Sequence, residues 1–471
     1  MFLYKLWHLS FHLILFMNIN LSLLTLFISL LVSACTGLPV MNKPLNDAPA
    51  IASETEKTNN DEDRSDDLSL LLTFSGGGTR AAALSYGVLE KLRNTSIVFD
   101  GKRRRLVDEI DLISSVSGGS FTSAYYGLFG DEIFKNFEQK FLKKKIQTEL
   151  LKLWLLSPKN WVKLVPAVFG RSDLVAQYYN EKIFRNKKFA DLRKKSPHII
   201  INATDLSVGK GFAFMPYHFS WICSDLSSFP IGRAVAASSA VPVLFSPILL
   251  ENHMEKCSYA PILWGDVKNK EDNKHYQHAL EIRKYRNAKD YAYLHLVDGG
   301  VADNLGIRSL LDMVTYHNDN MWNLMKAYRM KKTKQMVFMV VNASNAITKD
   351  FAKYRKSPTT QEVLQSVTRV QFKQLNDNTV DLLRSKFPEW TQQIKQQRCA
   401  EEKTANCGDI QFHLIEVSLD KLKAGSTDFL KYAPTSLELE PKIVDKLKQS
   451  ATQLLDESEE FQDFLKELQS L

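Results

Sequence analysis

The sequence predicts a three-layer α/β fold, in which a central, mostly parallel sheet is covered by helices on both faces. Apolar, strand-like runs alternate with helical patterns along the chain. These runs are continuously apolar, whereas a strand with one solvated face alternates apolar and polar residues. Glycine-rich turns follow three of the runs, at the strand ends where such folds place their active sites.

The individual elements follow from this pattern in chain order. Two strand–helix units come first, with strands at 68–74 and 110–116 and helices from about residue 79 to 92 and from residue 120. Later strands are predicted at 199–203, 294–297, 336–341 and 412–417. The chain is 44% hydrophobic and shows neither an internal repeat nor a second linker, so residues 68–471 are expected to form one elaborated domain.

The N-terminus is predicted to direct export. After Lys5, an apolar run at 21–32 is short for a bilayer span and ends in Val-Ser-Ala before Cys35. This ending resembles the lipobox of bacterial lipoproteins, which implies that residues 1–34 are a signal peptide and that Cys35 is lipidated. Thr36 stands where an inner-membrane retention signal has aspartate, which favours the outer membrane. An uncleaved membrane anchor is the alternative, and the start is either Met1 or Met17.

Residues 35–67 are predicted to be a disordered tether. They contain three prolines, eight acidic and three basic side chains, and few large apolar residues to bury. The whole chain has a formal charge of +8, so the remainder is more basic still. A basic excess suits an anionic membrane surface or acidic substrates, and we expect no nucleic-acid partner.

Cysteine usage agrees with export. If Cys35 is lipidated, four cysteines remain, and exported proteins usually pair them. Three pairings are possible. We favour Cys399–Cys407, because it closes a short polar loop, and this leaves Cys223–Cys257. The cysteines are scattered, without a close pair or matching histidines, so neither a metal site nor a cofactor is expected.

A basic amphipathic stretch at 134–164 has two interpretations. Phe137, Phe141, Leu150 and Trp154 recur near helical spacing, beside several lysines. A basic helix that carries tryptophan can lie on an anionic lipid surface. An ordinary helix with a solvated lysine face gives the same pattern, and we favour this second interpretation.

The three glycine-rich turns together predict a serine hydrolase. Ser117 lies between a strand and a helix, at a corner that exposes its hydroxyl beside the helix N–H groups. The glycines at 76–78 offer backbone N–H donors to an oxyanion. Asp298 ends a strand and is placed to accept a proton. Singly, such motifs bind phosphate, cap a helix or form a turn, but their combination favours catalysis.

Three motifs resemble, in order, the signatures of patatin-like phospholipases. They are Gly76-Gly77-Gly78-Thr79-Arg80, Ser115-Val116-Ser117-Gly118-Gly119 and Asp298-Gly299-Gly300. The stretches at 203–205 and 236–242 also resemble bacterial members. The resemblance, which covers about 68–310, implies a Ser117–Asp298 dyad, an oxyanion hole at Gly76, Gly77 and Gly78, and metal-free hydrolysis of lipid acyl esters of phospholipase A or lysophospholipase type.

One residue departs from the family pattern. The family's G-x-S-x-G motif begins with glycine, and Ser115 stands there in this chain. A small residue is what this sharp turn requires, so serine is expected to be tolerated. For Arg80 we favour a structural role.

Two other interpretations stay open. An α/β-hydrolase triad would use Ser117, Asp298 and either His317 or His413. A catalytically silent lipoprotein would use the same fold to bind lipid or a partner protein.

Overall fold

The computed structural model describes residues 42–45, 64–99, 101–155, 170–193, 197–242, 244–257, 274–344, 355, 357–403, 406–423 and 428–470. The predicted signal peptide, Cys35, most of the predicted tether and residues 156–164 of the amphipathic stretch lie outside these ranges.

Extended segments occur from one end of the described chain to the other. In chain order they are β1 (Lys43–Pro44), β2 (Leu68–Phe74), β3 (Ser96–Phe99), β4 (Lys102–Arg105), β5 (Ile110–Val116), β6 (His198–Asp205), β7 (Lys210–Phe214), β8 (Ser224–Asp225), β9 (Ile248–Glu251), β10 (Tyr293–Asp298), β11 (Gln335–Asn342) and β12 (Gln411–Ser418).

Helices connect and cover these strands. In chain order they are α1 (Thr79–Asn94), α2 (Gly118–Phe129), α3 (Ile133–Phe137), α4 (Ile146–Leu155), α5 (Arg171–Lys182), α6 (Pro216–Trp221), α7 (Ile231–Ser238), α8 (Lys274–Arg286), α9 (Gly300–Asp303), α10 (Arg308–Tyr316), α11 (Met321–Ala327), α12 (Thr360–Glu402), α13 (Pro441–Glu457) and α14 (Glu459–Ser470).

Within the described residues, one eight-stranded mixed sheet forms the middle layer. Its order is β12-β11-β2-β5-β6-β10-β9, and β7 pairs with the edge of β6 that faces away from β5 and β10. The five strands from β12 to β6 are parallel to one another. β10 runs antiparallel to both of its neighbours, β6 and β9. The predicted three-layer α/β fold with a mostly parallel sheet is confirmed.

Each face of the sheet packs against its own hydrophobic core. On β2, Leu70, Leu72 and Phe74 belong to one core, which includes residues of α1, α2, α7 and α13. Leu71, which points to the other face, belongs to the second core with residues of α10, α11 and α12. All seven residues of β2 are buried, because both faces are covered. This is the physical reason for the continuous apolar runs in the sequence.

The C-terminal third of the chain builds onto the same sheet. β11 pairs with β2 from Gln335 to Val341, and β12 pairs with β11 along its whole length. α13 packs on α1, where Gly87 lies so close to Lys448 that a Cβ atom would be 2.7 Å from the Lys448 carbonyl oxygen.

The described part of the amphipathic stretch is not a free lipid-binding face. Phe137 and Phe141 are fully buried, and the Phe141 ring lies 4.1 Å from that of Phe121. Lys143 pairs with Glu138 and Asp445 at 2.8 and 2.6 Å. The apolar side therefore packs into the protein, as in an ordinary helix. No helix in the described ranges has both the length and the apolar character of a membrane span.

The predicted tether is not disordered where it is described. β1 pairs with β8, and the buried Asn42 side chain donates to the Glu251 carbonyl at 2.9 Å. Arg64 forms an ion pair with Asp111 at 2.7 Å. These polar side chains find specific partners in the domain, and a composition argument cannot foresee such contacts.

Two disulfide bonds join the four remaining cysteines in the pairing favoured from the sequence. Cys223 bonds to Cys257, with 5.8 Å between their Cα atoms. Cys399 bonds to Cys407, with 4.9 Å between their Cα atoms. The first bond ties the β8 end to the segment after β9, and the second closes a short loop after α12.

Candidate active site

Ser117 lies on a strained turn between β5 and α2. Its backbone has φ 48° and ψ −117°, a combination that non-glycine residues rarely adopt. The backbone N–H of Ser117 donates to the Ser238 hydroxyl at 2.8 Å. The Ser120 hydroxyl donates to the Ser117 carbonyl at 2.6 Å. α2 starts at the next residue, so the Ser117 side chain lies at the positive end of a helix.

Small residues let the neighbouring chains approach this turn. A Cβ on Gly118 would lie 2.0 Å from the Gly78 carbonyl oxygen, and one on Gly119 would lie 2.6 Å from the Phe74 Cβ. Ser115 is accommodated in place of glycine because its hydroxyl is bonded, at 2.6 Å to Ser123 and at 3.1 Å to the Ile200 carbonyl.

The Gly76–Gly78 turn follows β2 and lies against the Ser117 turn. A Cβ on Gly76 would be 3.3 Å from the Ser117 Cβ. Gly77 and Gly78 have φ of 141° and 62°, which glycine adopts readily. Their N–H groups have no backbone acceptor among the described residues.

Gly76 does not fit the predicted oxyanion hole. Its N–H donates to the Asn304 carbonyl at 3.0 Å, so this group is already engaged. The candidate donors are therefore Gly77, which lines the cleft, and Gly78 behind it.

Thr79 and Arg80 fix the turn in place. The Thr79 N–H donates to the Ser436 carbonyl at 2.8 Å. The buried Arg80 guanidinium donates to the carbonyls of Ala343, at 2.7 Å, and Ala433. Arg80 thus ties the turn to two C-terminal segments, in keeping with the structural role expected for it.

Asp298 reaches the site from the direction opposite to Ser117. β5 and β10 follow one another along the same edge of β6, with Val116 paired to Asn202 and Asp298 paired to Ala203, while β7 pairs with the other edge. Because β10 is antiparallel to β6, Asp298 enters at the level of the sheet that β5 has just left. The strand-end rule applies to parallel strands and does not cover β10, so Asp298 lies near Ser117 because β5 and β10 meet end to end along β6.

Asp298 is a buried carboxyl in hydrogen-bond contact with Ser117. Burial raises its pKa from 3.8 to about 6, while hydrogen bonds from the Gly300 N–H and the Ser117 side chain lower the pKa. The Gly300 bond is 2.8 Å long. A carboxylate with this pKa is ionised at neutral pH and is more basic than an exposed aspartate.

One short segment at the end of α7 holds the backbone of both Ser117 and Asp298. Ser238 accepts the Ser117 N–H through its hydroxyl and the Gly299 N–H through its carbonyl, at 2.8 and 3.1 Å. Ala240 accepts the Asp298 N–H at 3.0 Å. The Ser238 hydroxyl donates in turn to the Asn202 carbonyl at 2.6 Å. We call Ser238 and Ala240 the brace.

The brace lies in the 236–242 run, to which the sequence analysis gave no role. The signal was the likeness of this run to bacterial patatin-like proteins. Asn304, which accepts the Gly76 N–H, had no signal at all, since it follows the Asp298 motif at a turn of ordinary composition.

The histidines of the triad alternative make other contacts. His317 contacts the Met313 carbonyl at 2.7 Å through Nδ1, and burial lowers its pKa. His413 contacts Gln335 and Glu467. Through β11 and β2, His413 is in register with Ile110 at the start of β5, roughly 20 Å of strand from Ser117.

Ser117 and Asp298 open into a cleft of about 670 Å³. Its walls come from the three motifs and from the C-terminal third of the chain, through Phe372, Asn376, Tyr432 and Pro434. In the described ranges, no group of three His, Cys, Asp or Glu side chains is arranged to hold a metal ion.

The chain belongs to the patatin-like phospholipase family. The family's sequence profile, described as Patatin-like phospholipase, matches residues 72–311 and so includes all three motifs. Hydrolysis of lipid acyl esters is the activity that this family implies.

Among solved structures, human GIVD cytosolic phospholipase A2 is similar over 93% of this chain and 69% of its own, at 12% identity and a TM-score of 0.45. No curated protein matches the chain.

Ser238→Ala tests the brace. The Ser117 N–H would lose its acceptor, and the Ser117–Asp298 geometry would loosen. We expect kcat for ester hydrolysis to fall about 10- to 100-fold with little change in KM. Ser239→Ala is the matched control, because the Ser239 hydroxyl bonds back to Val235 on its own helix. Equal kcat values for the two variants would show that the brace does not position the nucleophile.

Asp298→Asn tests the cost of the buried charge. The folded-state pKa of about 6 lies above the model value of 3.8, so Asp298 makes the fold less stable as the pH rises from about 4 to 6, and the full cost remains above pH 6. The asparagine variant is expected to be more stable than the parent by about 2–3 kcal/mol at pH 8, and to lose this advantage as the pH falls towards 4. Thermal unfolding across this range measures the difference. A pH-independent difference would contradict the raised pKa.

Proposed function

We propose that this protein is a serine acyl-ester hydrolase of phospholipase A or lysophospholipase type, which uses a Ser117–Asp298 dyad. The supporting observation is the contact of the Ser117 side chain with a buried carboxyl whose pKa is raised to about 6. A serine hydroxyl is a poor nucleophile without a base at hand, and this carboxylate is in place to serve as one.

In the first half of the reaction, the Ser117 oxygen attacks the ester carbonyl carbon while Asp298 accepts the hydroxyl proton. The carbonyl oxygen becomes an oxyanion, which the N–H groups of Gly77 and Gly78 and the N-terminus of α2 stabilise. Asp298 then gives the proton to the departing alcohol oxygen. The acyl group is left on Ser117 as an ester.

In the second half, a water molecule replaces the alcohol. Asp298, ionised again, accepts a proton from this water as it attacks the acyl carbon. Collapse of the second oxyanion releases the fatty acid and returns the proton to the Ser117 oxygen. Each step moves one proton between Asp298 and a neighbouring oxygen, so the carboxylate alone supplies the acid–base chemistry.

The dyad accounts for the geometry better than a triad does. The interactions that set the pKa of Asp298 are burial, the Gly300 N–H and the Ser117 side chain. His317 and His413 are not among them. A triad aspartate would instead orient a histidine that contacts the serine.

We further propose that the protein is exported and held at a membrane, with the outer membrane favoured, through a lipidated Cys35. Two disulfide bonds support export, since such bonds persist in oxidising compartments. Mass analysis of the N-terminal peptide from the membrane fraction would test this proposal.

Ser117→Ala and Asp298→Asn are each expected to lower kcat for a p-nitrophenyl ester by about 10³-fold or more, since one removes the nucleophile and the other the base. His317→Ala and His413→Ala should leave turnover nearly unchanged. Collapse of activity in either histidine variant would favour a triad. Failure of a fluorophosphonate probe to label Ser117 in the folded parent would favour a silent binding protein.

The pH profile reports the base. Asp298 must be ionised to accept a proton, so kcat/KM should rise about tenfold per pH unit below 6 and level off above it. The residual activity of Asp298→Asn should not show this rise with pH. A parent profile that is flat between pH 4.5 and 7.5 would exclude Asp298 as the base.

A further inference from the structure

A row of polar side chains continues from the Ser117–Asp298 pair along one wall of the cleft. The Asn304 amide donates to the Ser344 hydroxyl at 3.1 Å. The Asn376 amide donates to the same hydroxyl at 2.8 Å. All three side chains line the cleft, and we call them the polar row.

The near end of the polar row lies beside the reacting groups. A Cβ on Gly76 would be 2.6 Å from the Asn304 Oδ1, and a Cβ on Gly300 would be 3.1 Å from it. Gly76 adjoins Ser117, and the Gly300 N–H contacts the Asp298 carboxyl. A lipid whose ester lies at Ser117 therefore brings its neighbouring polar atoms to this wall.

The far end of the polar row lacks a hydrogen bond. Asn376 is only 3% exposed, yet its Oδ1 has no partner among the described residues. A buried polar atom without a partner costs about 1–3 kcal/mol, and natural proteins keep few of them outside functional sites. Asn376 is one of the residues that line the cleft, so a bound ligand can supply the missing hydrogen-bond donor.

Ser344 and Asn376 lie beyond residues 72–311, the region that matches the family profile. They come from the segment after β11 and from α12. This part of the cleft is thus an addition to the catalytic motifs, and it bears on substrate choice rather than on bond cleavage.

We propose that the polar row is a subsite for a hydrogen-bond donor on the polar part of the lipid, and that Asn376 Oδ1 is its acceptor. Ester and phosphate oxygens only accept hydrogen bonds, and a trimethylammonium group has no N–H. The donor is therefore a free glycerol hydroxyl, as in a monoacyl lipid, or an ammonium head group. The proposal rests on the proposed function, because it assumes that the ester lies at Ser117.

The first experiment changes only the substrate. The unaltered enzyme is given mixed micelles that contain either 1-acyl lysophosphatidylcholine, which has a free hydroxyl, or its 2-O-methyl ether, which has none. Diacyl phosphatidylethanolamine and diacyl phosphatidylcholine form a second pair, which differs in the ammonium donor. We expect kcat/KM to favour the donor-bearing lipid about tenfold or more in one pair, which identifies the source of the donor.

The second experiment removes the acceptor. Asn376→Ala should reduce that preference to about twofold or less, mainly through a higher KM for the donor-bearing lipid. Asn378→Ala is the matched control, since Asn378 is an exposed asparagine two residues further along α12. It should keep the full preference.

Hydrolysis of p-nitrophenyl butyrate separates this proposal from the proposed function. It should be unchanged in the control variant Asn378→Ala and lost in Ser117→Ala. If the unaltered enzyme hydrolyses this ester but favours neither donor-bearing lipid, or if Asn376→Ala keeps the preference, the subsite is refuted and the dyad stands. If the ester is not hydrolysed and Ser117 is not labelled by a fluorophosphonate, the proposed function itself fails.

Discussion

The contact between Ser117 and the buried carboxyl of Asp298 is the interaction on which the site depends. Burial makes the carboxylate costly, and this cost raises its pKa to about 6. The hydrogen bonds from Gly300 and Ser117 offset only part of this cost. An exposed aspartate in the same place would be a weaker base, because water would stabilise its charge. In the proposed mechanism, the unfavourable burial of Asp298 is therefore what makes it a suitable base for proton transfer.

A strained serine and a buried carboxylate keep their conformations only if the surrounding contacts hold them in place. Ser117 is held in a strained conformation by its place between β5 and α2, and Asp298 is held by its pairing with Ala203 on β6. The brace then links the two, since Ser238 and Ala240 accept hydrogen bonds from Ser117, Asp298 and Gly299. Strain at the nucleophile and burial at the base are therefore stabilised by the same few residues.

Much of this arrangement could be predicted from the sequence, and the remainder has physical reasons for escaping it. The apolar runs located the strands because both faces of the sheet are covered, but apolarity has no direction, so the antiparallel course of β10 could not be foreseen. The glycine triplet located the turn beside Ser117. Which N–H groups stay free depends on a distant carbonyl, that of Asn304, and this excludes Gly76 as an oxyanion donor. The pattern at 134–155 likewise could not distinguish a lipid surface from a protein core.

The residues proposed for catalysis and the residues proposed for substrate recognition come largely from different parts of the chain. The proposed nucleophile, the proposed base and the glycine turn all lie within residues 72–311, whereas α12 and the segments around Ser344 and Tyr432 supply other lining residues of the cleft. Arg80 connects the two parts, because it belongs to the first motif and yet bonds to Ala343 and Ala433. Under the proposed function, the three motifs supply the reaction, and the cleft residues outside them are the ones expected to set the preference for a lipid. The motifs therefore predict the class of reaction but not the lipid.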